Sequence, residues 1–236
     1  MARRARGTRP DRLAVALHER LVQGRRAIDW RRWDHQDPDD PSYGQAERPV
    51  VGDARLTVAD PPDDAYWVEP GSVMAGPYPG AKHKQEAEQK LRDYIDAGVT
   101  CFLDLTVEGE SGLKPYGALL QTLAAERGID VVHLRLPVSD LDVPTKWRMR
   151  LIQTALREAV AAGETVYVHC WGGVGRTGTA IGCRLVETED LSGQQVLARI
   201  EELRRRTQRA HRPSPETPAQ RDLVFEWRKA AFGNRS

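Results

Sequence analysis

The stretch VYVHCWGGVGRTGT, Val166 to Thr179, joins a run of β-favouring residues to a glycine-rich turn and then to a segment able to start a helix. A chain that passes from strand to helix this way places the helix back over a sheet, which commits it to the α/β class. The same junction makes an anion site, because the first N–H groups of the helix lack partners and carry the positive end of its dipole. Gly173, Gly175 and Gly178 spell the G-x-G-x-x-G of dinucleotide folds. That reading requires a second strand ending in an acid about 20 residues on. Here Glu187, Glu189 and Asp190 lead into another helix signal instead. The Walker reading fails on chemistry, since Thr179 and Ala180 stand where Lys and Ser or Thr are needed.

Both nucleotide readings leave Cys170 and Arg176 unused. A five-residue loop between them lets backbone N–H groups converge on one anion, with glycines leaving no Cβ in the way. A planar guanidinium at Arg176 can grip two phosphate oxygens, and the same positive field favours a thiolate at Cys170. The cysteine then becomes a nucleophile beneath a bound phosphate.

From Tyr66 onward short apolar runs alternate with amphipathic stretches. Strands are expected at Ser72–Gly76, Thr100–Thr106, Asp130–Pro137 and Thr165–His169, each bounded by glycine or proline. Helices are expected at His83–Ala97, Tyr116–Arg127, Thr145–Ala162, Gly175–Glu187, Ser192–Arg206 and Thr217–Ala231. Ser192 with Gln195 and Thr217 with Gln220 have capping-box spacing, and Pro218 suits a first helical position. The expectation is an α/β domain over 64–233, with a central, mostly parallel sheet flanked by helices. The leading segment 1–63 holds ten arginines in its first 32 residues, then turns rich in Asp and Pro. It reads as a charged, largely flexible extension with one helix pattern at Asp11–Ala27. An arginine-rich arm can touch nucleic acid or an acidic membrane, but the solvated-tail reading is preferred.

At 236 residues and 40% hydrophobic content the chain can build a real core. The early apolar run Leu13–Leu17 is too short for a secretory or spanning segment, so a cytoplasmic location is expected. Three unpatterned cysteines, Cys101, Cys170 and Cys183, do not form a disulfide framework and leave room for a working thiol.

HCWGGVGRTG resembles the H-C-x5-R-[ST]-G signature of the cysteine-dependent protein tyrosine and dual-specificity phosphatases, at His169, Cys170, Arg176, Thr177 and Gly178. WVEPGSVMAGPYPG, LDLTVEGE, LPVSDLDVPT and SPETPAQ look like segments of the prokaryotic branch of compact dual-specificity enzymes. The resemblance runs from about Tyr66 to Phe232. It implies a phosphocysteine on Cys170, a loop Trp171, Gly172, Gly173, Val174 and Gly175 that binds the phosphate with Arg176, and no metal or cofactor. His169 would orient the loop and Thr177 would hydrogen-bond the departing thiolate. A buried, locally satisfied histidine and a threonine that merely caps the helix are the bland alternatives.

Cleaving a phosphate ester also needs a proton for the leaving oxygen. Parallel sheets gather their sites beyond the C-terminal strand ends, which directs attention to the loop after DVVHLRLP, with Asp140 and Asp142. The resemblance sets the acid in a P-x-x-D context and so selects Asp140, with Asp142 in reserve. Glu108 or Glu110 could hold Arg176. Gln220 is open to a water-positioning role, its capping role being the simpler account. Cys101 opens its strand, roughly 17 Å from the end where a thiol partner for Cys170 would sit, and Cys183 lies two helical turns from Arg176, so no resolving cysteine is expected.

The substrate is a phosphorylated protein, phosphotyrosine first, or a small phosphate ester; a phosphate-binding module without turnover is the third possibility. The absence of lysine from Trp171–Val174 argues against polyanionic phosphoinositides. Trp171 could flank an aromatic substrate or pack beside the loop, and Tyr78 could wall the pocket. Arg199, Arg204, Arg205, Arg206, Arg209 and Arg212 read as a solvated face. Neither membrane nor nucleic acid is an expected partner, and oligomeric state is left open.

Overall fold

The computed structural model describes residues 58–62, 64–189 and 191–232. The helix pattern at Asp11–Ala27 and the arginine-rich arm lie outside these residues. Five strands, β1 (Tyr66–Glu69), β2 (Val73–Gly76), β3 (Cys101–Asp104), β4 (Val132–Arg135) and β5 (Val166–His169), form one sheet in the order β1-β2-β5-β3-β4. β1 runs antiparallel to β2, and every other pairing is parallel. Six helices accompany the sheet among the described residues: α1 (Lys84–Asp96), α2 (Gly117–Glu126), α3 (Lys146–Ala161), α4 (Gly175–Thr188), α5 (Gly193–Arg204) and α6 (Pro218–Phe232).

The expected α/β class and every element expected between Ser72 and Ala231 are present, the strands trimmed at their ends. β1 was not expected from the sequence. It is four residues long and its register with β2 shifts between Trp67 and Glu69, so little alternation is left to read. Both capping boxes form. Ser192 accepts from the Gln195 N–H while the Gln195 amide oxygen accepts from the Ser192 N–H. Thr217 and Gln220 exchange the same pair of bonds, at 3.1 and 3.2 Å.

Side chains alternate across the strands, which gives the sheet two buried faces. Met74, Phe102 and Tyr167 pack with Leu91, Tyr94 and Ile95 of α1 and with Leu120 and Leu123 of α2. α4 lies over the other face, with α3, α5 and α6 packed around it. α4 is buried from Gly175 through Val186. Its small residues make this possible: a methyl at Gly182 would lie 2.8 Å from Val224 Cγ2 of α6, so the two helices meet with no room to spare.

Parallel pairing brings Gly76, His169, Asp104 and Arg135 into one row at the C-terminal edge of the sheet. The loops after β3, β4 and β5 leave from this row and meet above it. Below, the Tyr167 hydroxyl donates to Pro77 O at 2.5 Å and pairs with the Tyr94 hydroxyl at 2.7 Å. The buried Tyr66 hydroxyl has no hydrogen-bond partner among the described residues.

Removing one partner of a buried hydrogen bond costs about 1–3 kcal/mol, whereas removing an unpartnered group costs nothing comparable. Tyr167→Phe is therefore expected to destabilise the domain by about 1–3 kcal/mol. Tyr66→Phe should be neutral or slightly stabilising. Urea unfolding of the two variants checks this; a larger loss for Tyr66→Phe would contradict it.

Candidate active site

Cys170 follows the last residue of β5, and the loop from it to Gly175 turns its carbonyls away from its own centre. Cys170 O faces His169 Nδ1 at 3.3 Å. Trp171 O accepts from Tyr78 N at 3.0 Å. Gly172 O accepts from Arg209 Nη1 at 2.9 Å, and Val174 O from Ser214 Oγ at 2.7 Å. In a trans peptide the N–H points opposite its carbonyl. The N–H groups of Trp171, Gly172, Gly173 and Gly175 thus point to the opposite side of the loop from these partners, as an anion cradle would need.

Gly173 is required twice over. Its φ is +68°, in the left-handed region, and a Cβ there would meet Gly76 C at 2.5 Å and Pro77 N at 2.6 Å. The loop therefore rests on the end of β2 with no side chain between.

Arg176 stands in the first turn of α4, its side chain 1% exposed. Glu110, in a short 3-10 turn after β3, grips it with both oxygens at 2.6 and 2.5 Å. Val138 O accepts from Arg176 Nη1 at 2.9 Å, and Asp140 Oδ1 lies 2.9 Å from Nη2. Burial alone would weaken the Arg176 charge, but the Glu110 fork and the neighbouring Cys170 and Asp140 outweigh it and hold the group firmly cationic. Burial likewise acts against ionisation of Glu110, and its hydrogen bonds from Arg176 and the Val107 N–H keep it below the ordinary carboxylate range. Arg176 Nε and the Thr177 hydroxyl are buried without hydrogen-bond partners among the described residues.

Of the two loop acids after β4, Asp140 reaches Arg176. Asp142 folds back on its own loop, accepting from Val143 N at 2.8 Å. Between them Leu141 takes a left-handed backbone, φ +58°, inside a turn closed by Asp142 N to Ser139 O at 3.1 Å. Of the two glutamates after β3, Glu110 holds Arg176, while Glu108 stays 81% exposed and 3.8 Å from Arg135.

His169 is fully buried beneath the loop. Its Nε2 meets the Tyr116 hydroxyl at 2.7 Å. Because Nδ1 faces only acceptors, the Cys170 carbonyl and, at 3.9 Å, Asp104 Oδ1, the neutral ring carries its proton on Nδ1 and accepts from Tyr116 at Nε2. Burial pushes the Tyr116 hydroxyl well above its usual range, which keeps it a donor. Asp104 accepts from the Thr106 N–H and hydroxyl, His133 and Arg135. Burial opposes its ionisation, yet the His169 ring and those hydrogen bonds hold it well below the carboxylate range. Tyr78 packs edge-on to Tyr116 and His169 and donates to Lys114 O, so it lies behind the loop.

Sequence reasoning missed Tyr116, Asp104, Ser214 and the part played by the late arginines. Arg204 is 2% exposed and donates to Arg209 O and Arg212 O. Arg209 then reaches Gly172 O and lies over the Trp171 ring at 5.8 Å. This part of the arginine run is an internal brace rather than the solvated face expected. A run of six arginines carries no signal of which one turns inward. Cys101 and Cys183 are buried and free, with burial pushing the first thiol up to about 12 and the second well above its ordinary range.

Burial pushes His169 down to about 4, against the pull of Asp104. An unfolded histidine binds its proton near 6.5. Between these values the unfolded chain holds more protons, so stability is full above about pH 6.5 and lost as pH falls toward 4, at up to about 1.4 kcal/mol per pH unit. Asp104 extends the loss further into acid. Urea midpoints measured from pH 7.5 to 4.5 should fall, and His169→Asn should flatten that window; an unchanged slope in the variant would show that another group carries it.

Residues 79–190 match the family described as Tc-R-P, polymorphic toxin system, DSP-PTPase phosphatase. The "Putative tyrosine phosphatase 067L" of Invertebrate iridescent virus 3 is 28% identical over 137 residues, 56% of this chain and 50% of that protein. The chain thus spans about half the length of this curated relative. Among solved structures, Tk-PTP in its active form superposes with a TM-score of 0.52 at 23% identity, covering 70% of this chain and 97% of its own. PTPMT1 in complex with PI(5)P gives 0.56 at 20%, covering 74% and 100%. Kinase associated phosphatase, with serine for its catalytic-site cysteine, gives 0.55 at 18%, covering 70% and 89%. At these identities the structural likeness is one of fold. The described domain therefore has the fold of these phosphatases, and within it residues 79–190 are similar to the DSP-PTPase phosphatase family.

Proposed function

We propose that this domain hydrolyses phosphate monoesters, protein phosphotyrosine first and phosphoserine and phosphothreonine with it, through a phosphocysteine on Cys170. The observation that carries the reading is the loop itself: carbonyls tethered outward and N–H groups facing in, beside a cysteine and above a guanidinium fixed by Glu110. Phosphate oxygens would take the inward N–H groups and the unpartnered Arg176 Nε.

In the first step the Cys170 thiolate attacks phosphorus, the P–S bond forms and the P–O bond to the leaving group breaks. Asp140, protonated, gives its proton to the departing oxygen, so an alcohol or phenol leaves. In the second step a water attacks the phosphocysteine and gives its proton to the Asp140 carboxylate. The P–S bond breaks, inorganic phosphate forms and the thiolate returns, accepting a hydrogen bond from the free Thr177 hydroxyl. His169 and Tyr116 keep the loop in place without bringing charge to it. Preorganised donors aimed at the transferring group are the largest expected contribution.

For substrate class, the rim matters. Trp171 and Leu141, 44% and 57% exposed on the loops after β5 and β4, are apolar groups that would suit an aryl ester. Trp171, Gly172, Gly173 and Val174 offer no lysine to a polyanion. A second reading, an inositol phosphate or nucleotide, uses the same catalytic residues. PTPMT1, of the same fold, was crystallised with PI(5)P. Rates on a panel of phosphopeptides against soluble phosphates separate the two.

The protein is expected to turn over para-nitrophenyl phosphate in EDTA, and Cys170→Ser should lose all turnover. Asp140→Asn should lower the rate on phenyl phosphate by about 10²–10⁴-fold, the usual worth of a general acid. It should also remove the limb on which rate falls with rising pH. Asp142→Asn should leave both within about 3-fold; the reverse pattern would move the acid to Asp142.

A further inference from the structure

Gln220 occupies the third position of α6 and is completely buried. Its Oε1 accepts from Glu216 N and Thr217 N, both at 3.1 Å, which completes the cap of the helix. Its Nε2 does something the cap does not require: it donates to Asp142 O at 3.1 Å, across 78 residues of chain. The amide also lies against the phosphate loop, for a Cβ built on Gly175 would stand 3.0 Å from Oε1 and 3.1 Å from Nε2. One side chain thus joins the start of α6, the loop that carries Asp140 and the loop that carries Cys170.

The cap alone would be served equally by glutamate, the commoner partner in such boxes. Only an amide supplies the N–H that Asp142 O receives. The segment it grips needs holding. Leu141 sits in the left-handed region between Asp140 and Asp142, a conformation that residues with a side chain rarely adopt. Asp140, at 46% side-chain exposure, has Arg176 as its ion-pair partner. Once Asp140 is protonated to act as the acid, that ion pair weakens, and the backbone anchor at Asp142 helps keep the acid over the loop. Gln220 lies outside the matched segment 79–190, and its amide oxygen is fully committed to the cap, which argues against a water-positioning role.

Resting on the phosphatase reading above, we infer that Gln220 is a positioning residue which fixes the Asp140 loop against the Cys170 loop, so that its removal impairs proton donation to the leaving group rather than attack by water on the phosphocysteine.

The test compares the wild type, Gln220→Glu and Gln220→Met on aryl phosphates of graded leaving-group acidity, with rapid-mixing kinetics and a pH profile. Glutamate keeps both cap bonds and loses the donor; methionine keeps the volume against Gly175 without adding a buried acid. Both should slow phenyl phosphate by about 10-fold or more, with the loss shrinking to about 2-fold on dinitrophenyl phosphate, whose phenolate needs no proton. The limb at which rate falls with rising pH should weaken in parallel, as it does in Asp140→Asn. A loss equal for all leaving groups, with a burst of phenol showing that phosphocysteine accumulates, would overturn the inference in favour of water positioning. Unchanged kinetics in both variants would overturn it as well. A wild type inactive on every ester would instead sink the phosphatase reading beneath it.

Discussion

The buried charge of Arg176 is the constraint around which the site is arranged. A guanidinium out of water is tolerated only with carboxylate and carbonyl partners close by. Those partners come from two loops, Glu110 after β3 and Val138 and Asp140 after β4, while the loop after β5 leads into Arg176 itself. Each loop is anchored by the same group. The sheet sets them side by side through the shared row at its C-terminal edge, and Arg176 then ties them together above it.

A second level of order lies beneath the cradle. The loop carbonyls are drawn outward by Tyr78 N, Arg209 and Ser214, groups from a turn after β2 and from the segment after α5. The buried Arg204 braces that segment in turn. None of these residues faces the anion. Their effect is to remove the alternative of a collapsed loop whose N–H groups satisfy its own carbonyls, and so to keep donors ready before any ligand arrives.

How much of this was legible depended on the range of the interaction. Capping at Ser192 and Thr217, strand–turn–helix at Val166–Thr179 and the Cys170–Arg176 spacing are local patterns, and each is present where the sequence placed it. The choice between Glu108 and Glu110 was not legible, because two acids in one turn differ only in which way that turn folds. Arg204 was hidden for a different reason. Among neighbouring arginines, burial is decided by carbonyls of Arg209 and Arg212 that turn back toward it. The Tyr116–His169 pair joins residues 53 apart, and β1 is too short and irregular to announce itself. Gln220 was read through its cap, since the partner of its other amide end is set by a turn 78 residues away.

Glu110's grip on Arg176 also bears on how a substrate would arrive. With His169 neutral and Asp140 protonated, as the first step requires, the formal charges of Arg176 and Glu110 cancel before any ligand enters. A phosphate dianion would gain little from long-range attraction and much from contact, through N–H dipoles effective over a few ångströms. Encounter would then depend only weakly on ionic strength. Selection among esters would fall to exposed apolar groups on the loops after β5 and β4, Trp171 and Leu141 among them, rather than to a field that gathers every anion alike.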